Sequence, residues 1–75
     1  MGDAVILPPV ELQVFASLLE KFPDPVANEL LLSAAGGITS RNFDVRVARL
    51  RKKIAPLSIG IKTIHGEAHR MVFWE

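Results

Sequence analysis

The sequence predicts an α+β fold in which three helices are followed by a C-terminal β-hairpin. Two observations carry this prediction. Apolar residues recur with helical spacing in three stretches between residues 10 and 54, and two β-branched stretches joined by a Gly-containing turn follow them. Two short helices that lead into a basic helix and then a two-stranded hairpin form the plan of a winged helix-turn-helix.

The third predicted helix, 41–54, has the strongest pattern in the chain. Four apolar residues recur at i, i+4, i+7 and i+11, which is the spacing of one buried helical stripe. They are Phe43, Val47, Leu50 and Ile54. Ser40 or Asn42 can cap the start of this helix, and Asp44 in its first turn suits the positive end of the helix dipole.

A second stripe of the same helix is cationic. It consists of Asn42, Arg46, Arg49 and Lys53, which lie about 80–120° around the helix from the apolar stripe. A basic helix face is often no more than a solvated surface. Here, however, the stripe has almost no acidic residues between its cations and uses more Arg than Lys, and the planar guanidinium binds phosphates and guanine edges with two hydrogen bonds. The stripe therefore favours nucleic-acid binding.

The overall charge hides a strong asymmetry. The net charge is +1, but residues 1–40 carry one basic and five acidic residues, whereas residues 41–75 carry eight basic and three acidic ones. The two halves thus have net charges of −4 and +5. A basic half of this kind is the electrostatic signature of a nucleic-acid-binding domain.

Length and composition predict a single small domain, 1–75. The apolar fraction of 49% argues against disorder, and the absence of cysteine excludes disulfides and thiolate metal sites and fits a reducing compartment. No apolar run approaches the roughly 18 residues of a membrane-spanning helix, and no signal-peptide pattern opens the chain. The sequence therefore predicts a soluble, intracellular protein without a membrane partner.

Two helices are predicted before the basic one. The run 4–7 is consistent with a strand that ends at Pro8-Pro9. In 10–22 the apolar positions wrap widely around a helix, and Glu11 falls among the polar residues that remain. The stretch 26–35 predicts a second helix in which Leu30, Leu31 and Leu32 are buried, and Gly36-Gly37 closes it.

The predicted hairpin has strands 59–64 and 69–74 and a turn at 65–68. Gly66 can adopt the positive φ that a tight turn requires. Phe73 and Trp74 at the end of the second strand are expected to pack the hairpin against the helices rather than to stack on nucleotides.

Three segments resemble motifs of a known family, the C-terminal winged-helix effector domain of OmpR/PhoB-type response regulators from two-component systems. Segment 41–54 (R-N-F-D-V-R-V-A-R-L-R-K-K-I) is similar to the family's recognition helix, R-T-V-D-V-H-I-x-R-L-R-K-K-L. Segment 61–71 is similar to its wing, I-x-T-V-R-G-x-G-Y-R-L. Segment 7–19 resembles its first helix, L-T-x-x-E-x-x-L-L-x-x-L, with Glu11 at the acidic position. The resemblance covers about residues 7–71.

The resemblance implies sequence-specific binding of double-stranded DNA by a transcriptional regulator. Helix 41–54 would enter the major groove, and the wing, 59–74, would lie near the minor groove. The residues expected to contact DNA are Arg41, Asn42, Arg46, Arg49, Arg51, Lys53, Thr63 and His65. The implied location is the cytoplasm, at the bacterial nucleoid, and RNA polymerase and a homodimer on DNA are further partners that the resemblance leaves open.

The sequence also departs from the family pattern. Only about seven residues precede the first helix, where the family usually has a four-stranded platform, so the N-terminal platform is expected to be largely missing. The connection 36–40 is short where the family often has a longer loop that contacts RNA polymerase. In the wing, His65 replaces an arginine, and Ala68 and His69 replace Gly-Tyr. No receiver domain with its phospho-acceptor aspartate is present in the sequence.

Two other functions are alternatives to DNA binding. An enzyme is not expected: the chain has two histidines and no cysteine, its carboxylates are scattered, and Gly36-Gly37 lacks the Lys-Ser/Thr of a phosphate-binding loop. No cofactor and no metal site are predicted, although His65 and His69 could approach each other across the turn. The main alternative is a winged-helix module for protein–protein interaction or assembly that does not bind DNA, because fold alone does not determine function.

Overall fold

The structure, a computed structural model, describes residues 6–74. Its elements are α1 (Pro9–Lys21), β1 (Val26–Ala27), α2 (Asn28–Ala34), α3 (Ser40–Ile54), a 3-10 turn (Ala55–Leu57), β2 (Ile59–Ile64) and β3 (Ala68–Phe73). The strands form an antiparallel sheet in the order β1-β3-β2. The predicted fold class is thereby confirmed: the protein is α+β, with three helices and a C-terminal hairpin, as in a winged helix.

Helix α1 begins with Pro9 in its first turn, where the missing N–H costs no helical hydrogen bond. Its buried face is formed by Val14 and Leu18, which pack into the core. Glu11 lies on the same face and is only 1% exposed. Its predicted place among the polar surface residues is therefore wrong.

The second helix begins two residues later than the sequence predicts. Val26 and Ala27 form β1, which pairs with β3, and α2 begins only at Asn28. Leu31 is fully buried and Leu32 partly so, but Leu30 is 61% exposed, which corrects the prediction that all three are buried. Consecutive residues on a helix are about 100° apart, so three in a row cannot all face one core.

Helix α3 matches its predicted range closely, but it begins at Ser40, so Asp44 is not in its first turn as predicted. Its cap is Thr39, whose Oγ1 accepts from the backbone N–H of Asn42 at 3.3 Å, so the capping residue precedes the two candidates, Ser40 and Asn42. The predicted apolar stripe is confirmed. It is at most 3% exposed, and it consists of Phe43, Val47, Leu50 and Ile54.

The hairpin forms with Ile61 opposite Met71, both buried against the helices. Glu67 N–H donates to the Ile64 carbonyl at 3.0 Å, and the two residues between them, His65 and Gly66, have φ values of 51° and 71°. Positive φ at both central positions is what a type I′ turn requires, and it matches the twist of the strands.

Phe73 and Trp74, at the end of the hairpin, agree only in part with the prediction that both pack against the helices. The Phe73 ring packs edge-on against Phe22 at the end of α1, with 4.8 Å between ring centroids. Trp74 instead lies over Gly60 of its own hairpin, where a Cβ would collide with the indole ring. Both side chains are 52% exposed.

The N-terminal run 4–7 is described only from Ile6 onwards. Ile6 and Leu7 are not in a strand, so that prediction is wrong for these two residues, and its first two residues lie outside the described range. No strand precedes α1 within residues 6–74. In the same range, no helix has the length and apolar character needed to cross a membrane.

Candidate nucleic-acid interface

One surface of α3 points directly away from the core, and we call it the outward face. Its members lie within about 70° of the direction opposite to the buried stripe, given about 100° per residue. They are all exposed, and they are Arg41, Asn42, Val45, Ala48, Arg49 and Lys52. The outward face thus carries three cations and no acidic residue.

The predicted cationic stripe is divided by the neighbouring helix. Arg46 and Lys53 lie on the flank of α3 that faces α1, and the side chain of each is 36% exposed. Lys53 donates through Nζ to Oε1 of Glu11 at 2.9 Å, and Arg46 Nη1 lies 3.6 Å from Glu11 Oε2. Two of the eight predicted DNA contacts are therefore paired with a carboxylate from α1.

Glu11 was not predicted as part of this surface. A buried carboxylate is stable only when it is paired and hydrogen-bonded, which explains why two cations converge on it. Its position could have been predicted: Glu11, Val14 and Leu18 are spaced i, i+3 and i+7, which places the carboxylate on the buried stripe of α1. The cations that partner it are 35 and 42 residues further along the chain, and no local pattern indicates that distance.

The opposite flank of α3 carries Arg51, which contacts the hairpin. Its Nε donates to the carbonyl oxygen of Ile61 at 3.2 Å, and its Nη2 donates to Oγ1 of Thr63 at 2.9 Å. A guanidinium has five N–H donors, so three remain, and the Thr63 hydroxyl can still donate its own hydrogen. Arg51 and Thr63, both predicted contacts, therefore form one exposed cluster of hydrogen-bond donors.

Asn28 fastens the tip of the hairpin to α2. Its backbone N–H donates to Glu67 O at 2.9 Å and its Nδ2 to Gly66 O at 3.2 Å. Its Oδ1 lies 2.6 Å from Nδ1 of His69. Because a carbonyl oxygen can only accept, the Gly66 bond fixes the orientation of the amide, and Nδ1 of His69 must carry the hydrogen that Oδ1 accepts.

The two histidines have different environments. His65 is exposed at the tip of the hairpin, with the positive φ that histidine adopts more readily than most residues. His69 is 6% exposed, and its ring lies edge-on to Phe43 at 5.5 Å. Burial lowers the pKa of His69 and the nearby Arg51 lowers it further, against a smaller opposing effect of Asp44. Among residues 6–74, no three His, Cys, Asp or Glu side chains come together as a metal site would require.

Six of the eight residues predicted to contact DNA are exposed, namely Arg41, Asn42, Arg49, Arg51, Thr63 and His65. Arg46 and Lys53 are the two that are partly buried. Lys52 was not predicted, although its position opposite the buried stripe follows from helical spacing alone.

No family model matches the sequence, and no curated protein matches it at a significant level of similarity.

Proposed function

We propose that this protein binds double-stranded DNA sequence-specifically, as a transcriptional regulator, with α3 in the major groove. The observation that carries the proposal is the outward face of α3, which is exposed, cationic and free of acidic residues. The major groove of B-DNA is about 12 Å wide and admits a helix of this size. Asp44, the one acidic residue of α3, lies on the flank with Arg51 and not on the outward face.

The outward face offers side chains for both base edges and phosphates. Arg49 near the middle suits a guanine edge and Asn42 suits an adenine edge, each by two hydrogen bonds. Arg41 and Lys52 are about 16 Å apart along the helix axis, at a rise of about 1.5 Å per residue. That separation suits the phosphates on either side of a groove, so we assign the two cations to phosphate contacts.

The hairpin supplies a second set of contacts in this proposal. Arg51 and Thr63 together present donors to one phosphate, because each retains hydrogens after bonding to the other. His65 at the tip would lie near the minor groove. Neither a homodimer on DNA nor RNA polymerase is required for these contacts.

The similarity of segments 7–19, 41–54 and 61–71 to OmpR/PhoB-type effector domains supports the same proposal. We therefore also propose that the chain is a DNA-binding domain of that response-regulator class. A protein with this function would act in the cytoplasm, at the bacterial nucleoid.

A protein–protein assembly module is the second candidate. One observation favours it: a groove beside α1 is lined only by apolar residues, Leu7, Leu12, Phe15, Ile54 and Leu57. Apolar surface of this kind is typical of an interaction site. The groove shares no residue with the outward face of α3, so the two functions can be tested by separate variants.

The test is binding to a pool of random duplexes, measured by fluorescence anisotropy across a series of salt concentrations. The proposal predicts binding that weakens steeply with salt, because bound cations release counterions from DNA. Arg49→Ala should weaken it. Lys21→Ala is the matched control, because it removes the same charge from an exposed position on α1. If the parent protein fails to bind any duplex at low salt, or if both variants bind equally, α3 is not a DNA-binding helix.

A further inference from the structure

The pairing around Glu11 is unequal. Lys53 makes a hydrogen bond to Oε1 at 2.9 Å, whereas Arg46 is 3.6 Å from Oε2, and Oε2 accepts no hydrogen bond from any residue in the range 6–74. Arg46 is therefore held by charge without a direct hydrogen bond. Its side chain is also 36% exposed, so it can be reached from solvent.

Arg46 lies next to the surface that we propose to face DNA. On the helix it is about 100° from Val45 and from Val47, the first on the outward face and the second in the core. A phosphate beside the groove and the carboxylate of Glu11 would therefore compete for the same guanidinium. The carboxylate has the advantage of being fixed and 1% exposed, because charges attract more strongly where water is excluded.

We propose that Glu11 is a positioning residue that withholds Arg46 from DNA, so that Arg46, like Lys53, adds no phosphate contact to those of the outward face. This inference rests on the proposed DNA binding by α3. It assigns to a residue of α1, outside the DNA-facing surface, control over the number of phosphate contacts. Lys53 stays paired with Glu11 whether or not Arg46 contacts a phosphate, since its hydrogen bond to Glu11 is short, at 2.9 Å.

Glu11→Gln is the variant that separates charge from shape. Glutamine has nearly the same shape, and its amide oxygen can still accept from Lys53, but its negative charge is gone. Arg46 should then turn to a phosphate. One added phosphate contact steepens the plot of log affinity against log salt by about 0.9. Over a fourfold change in salt, that is about a 3.5-fold change in the affinity ratio of variant to parent.

Glu20→Gln is the matched control. Glu20 is exposed, and it lies nine residues further along α1, which is half a turn round the helix from Glu11. This variant changes the net charge equally without a neighbouring cation on α3. The double variant Glu11→Gln/Arg46→Ala identifies the cation that is released, since it should return the salt slope to that of the parent.

The experiment is anisotropy of a labelled random duplex between about 50 and 200 mM salt, a range in which the slope is readily measured. We expect the plot of log affinity against log salt to be steeper for Glu11→Gln than for the parent and for Glu20→Gln. Equal slopes for Glu11→Gln and Glu20→Gln, or a double variant that remains steep, would overturn the inference while leaving DNA binding intact. A parent that does not bind DNA would overturn both proposals.

A second variant covers the case in which Glu11→Gln does not fold. Arg46→Ala in the otherwise unchanged protein alters a partly exposed side chain, and its folding is checked by circular dichroism. Because Glu11 already withholds Arg46, this variant should have the same salt slope as the parent. A slope shallower by about 0.9 would show that Arg46 contacts DNA in the parent, and the inference would be wrong.

Discussion

Arg51 and Thr63 are joined by a hydrogen bond of 2.9 Å between Nη2 and Oγ1, which links the last turn of α3 to strand β2. The same guanidinium donates to the carbonyl oxygen of Ile61. One side chain of α3 is thus hydrogen-bonded to two residues of β2 and, with the core packing of the hairpin, orients the hairpin relative to α3. A DNA molecule that contacts α3 would therefore meet the hairpin in a defined place.

Arg51→Lys tests this link without a change in charge. Lysine has a single ammonium group and cannot bond to Ile61, Thr63 and a phosphate in the geometry of the guanidinium fork. We expect random-duplex affinity to fall by roughly 1 kcal/mol, which is about fivefold. Lys52→Arg is the control for a change of cation on the outward face. Unchanged affinity of Arg51→Lys would mean that the fork plays no part in binding.

Leu50→Ala tests the assignment of the buried stripe. Leu50 is 0% exposed, so truncation removes buried apolar surface and leaves a cavity. We expect the free energy of unfolding in urea to fall by roughly 2–5 kcal/mol, which could unfold a domain this small. Val45→Ala on the outward face should change it by less than about 0.5 kcal/mol. Equal stabilities of the two variants would contradict the orientation of α3.

The buried histidine makes stability depend on pH. The folded protein lowers the pKa of His69 below its ordinary value of 6.5, chiefly through burial, so the unfolded chain takes up this proton at a higher pH than the folded one. As the unfolded state then binds more protons, stability falls with decreasing pH, here from about pH 7 to 5. Urea unfolding at several pH values measures this effect.

The control for that titration is the other histidine. His69→Gln should reduce the fall in stability between about pH 7 and 5, whereas His65→Gln at the exposed tip should leave it as in the parent. A fall of the same size in His69→Gln would assign the effect to other groups.

Position 60 has no room for a side chain, because the indole ring of Trp74 covers Gly60. Gly60→Ala would place a methyl group in the position of the Trp74 ring and displace it into solvent. Trp74 is the single tryptophan of the chain, so its fluorescence should shift to longer wavelength in the variant. Because about half of the residue is buried, the free energy of unfolding should fall by roughly 1–3 kcal/mol. An unshifted emission maximum would show that Trp74 does not lie over Gly60.

The elements that the sequence predicts most accurately are those in which several local signals agree. In α3 the apolar spacing, the cationic end and the absence of Gly and Pro all indicate one helix, and its predicted start at residue 41 is one residue from the observed start at Ser40. The hairpin was predicted for the same reason, since β-branched residues flank a turn that Gly66 favours. Both elements are defined by residues close together in the chain.

The errors arose where distant residues decide the structure. Val26 and Ala27 form a strand because β3, about 40 residues later, offers its edge, and the two residues alone have no strand pattern. The spacing of Glu11 in α1 indicates that it is buried, but the cations that pair with it, Arg46 and Lys53, come from another helix. The same long-range contact removed two cations from the predicted DNA-binding stripe, while helical spacing alone would have added Lys52 to it.

The central claim, that α3 reads base sequence, is tested most directly by the ratio of specific to random affinity. A preferred site is first selected by the parent protein from a random duplex pool, and affinity for that site and for random duplex is then measured at fixed salt. We predict that Arg49→Ala lowers binding to the selected site by roughly 1–3 kcal/mol more than binding to random duplex. Arg51→Ala should weaken both alike. If Arg49→Ala also weakens both alike, or if no site is selected, α3 does not read bases.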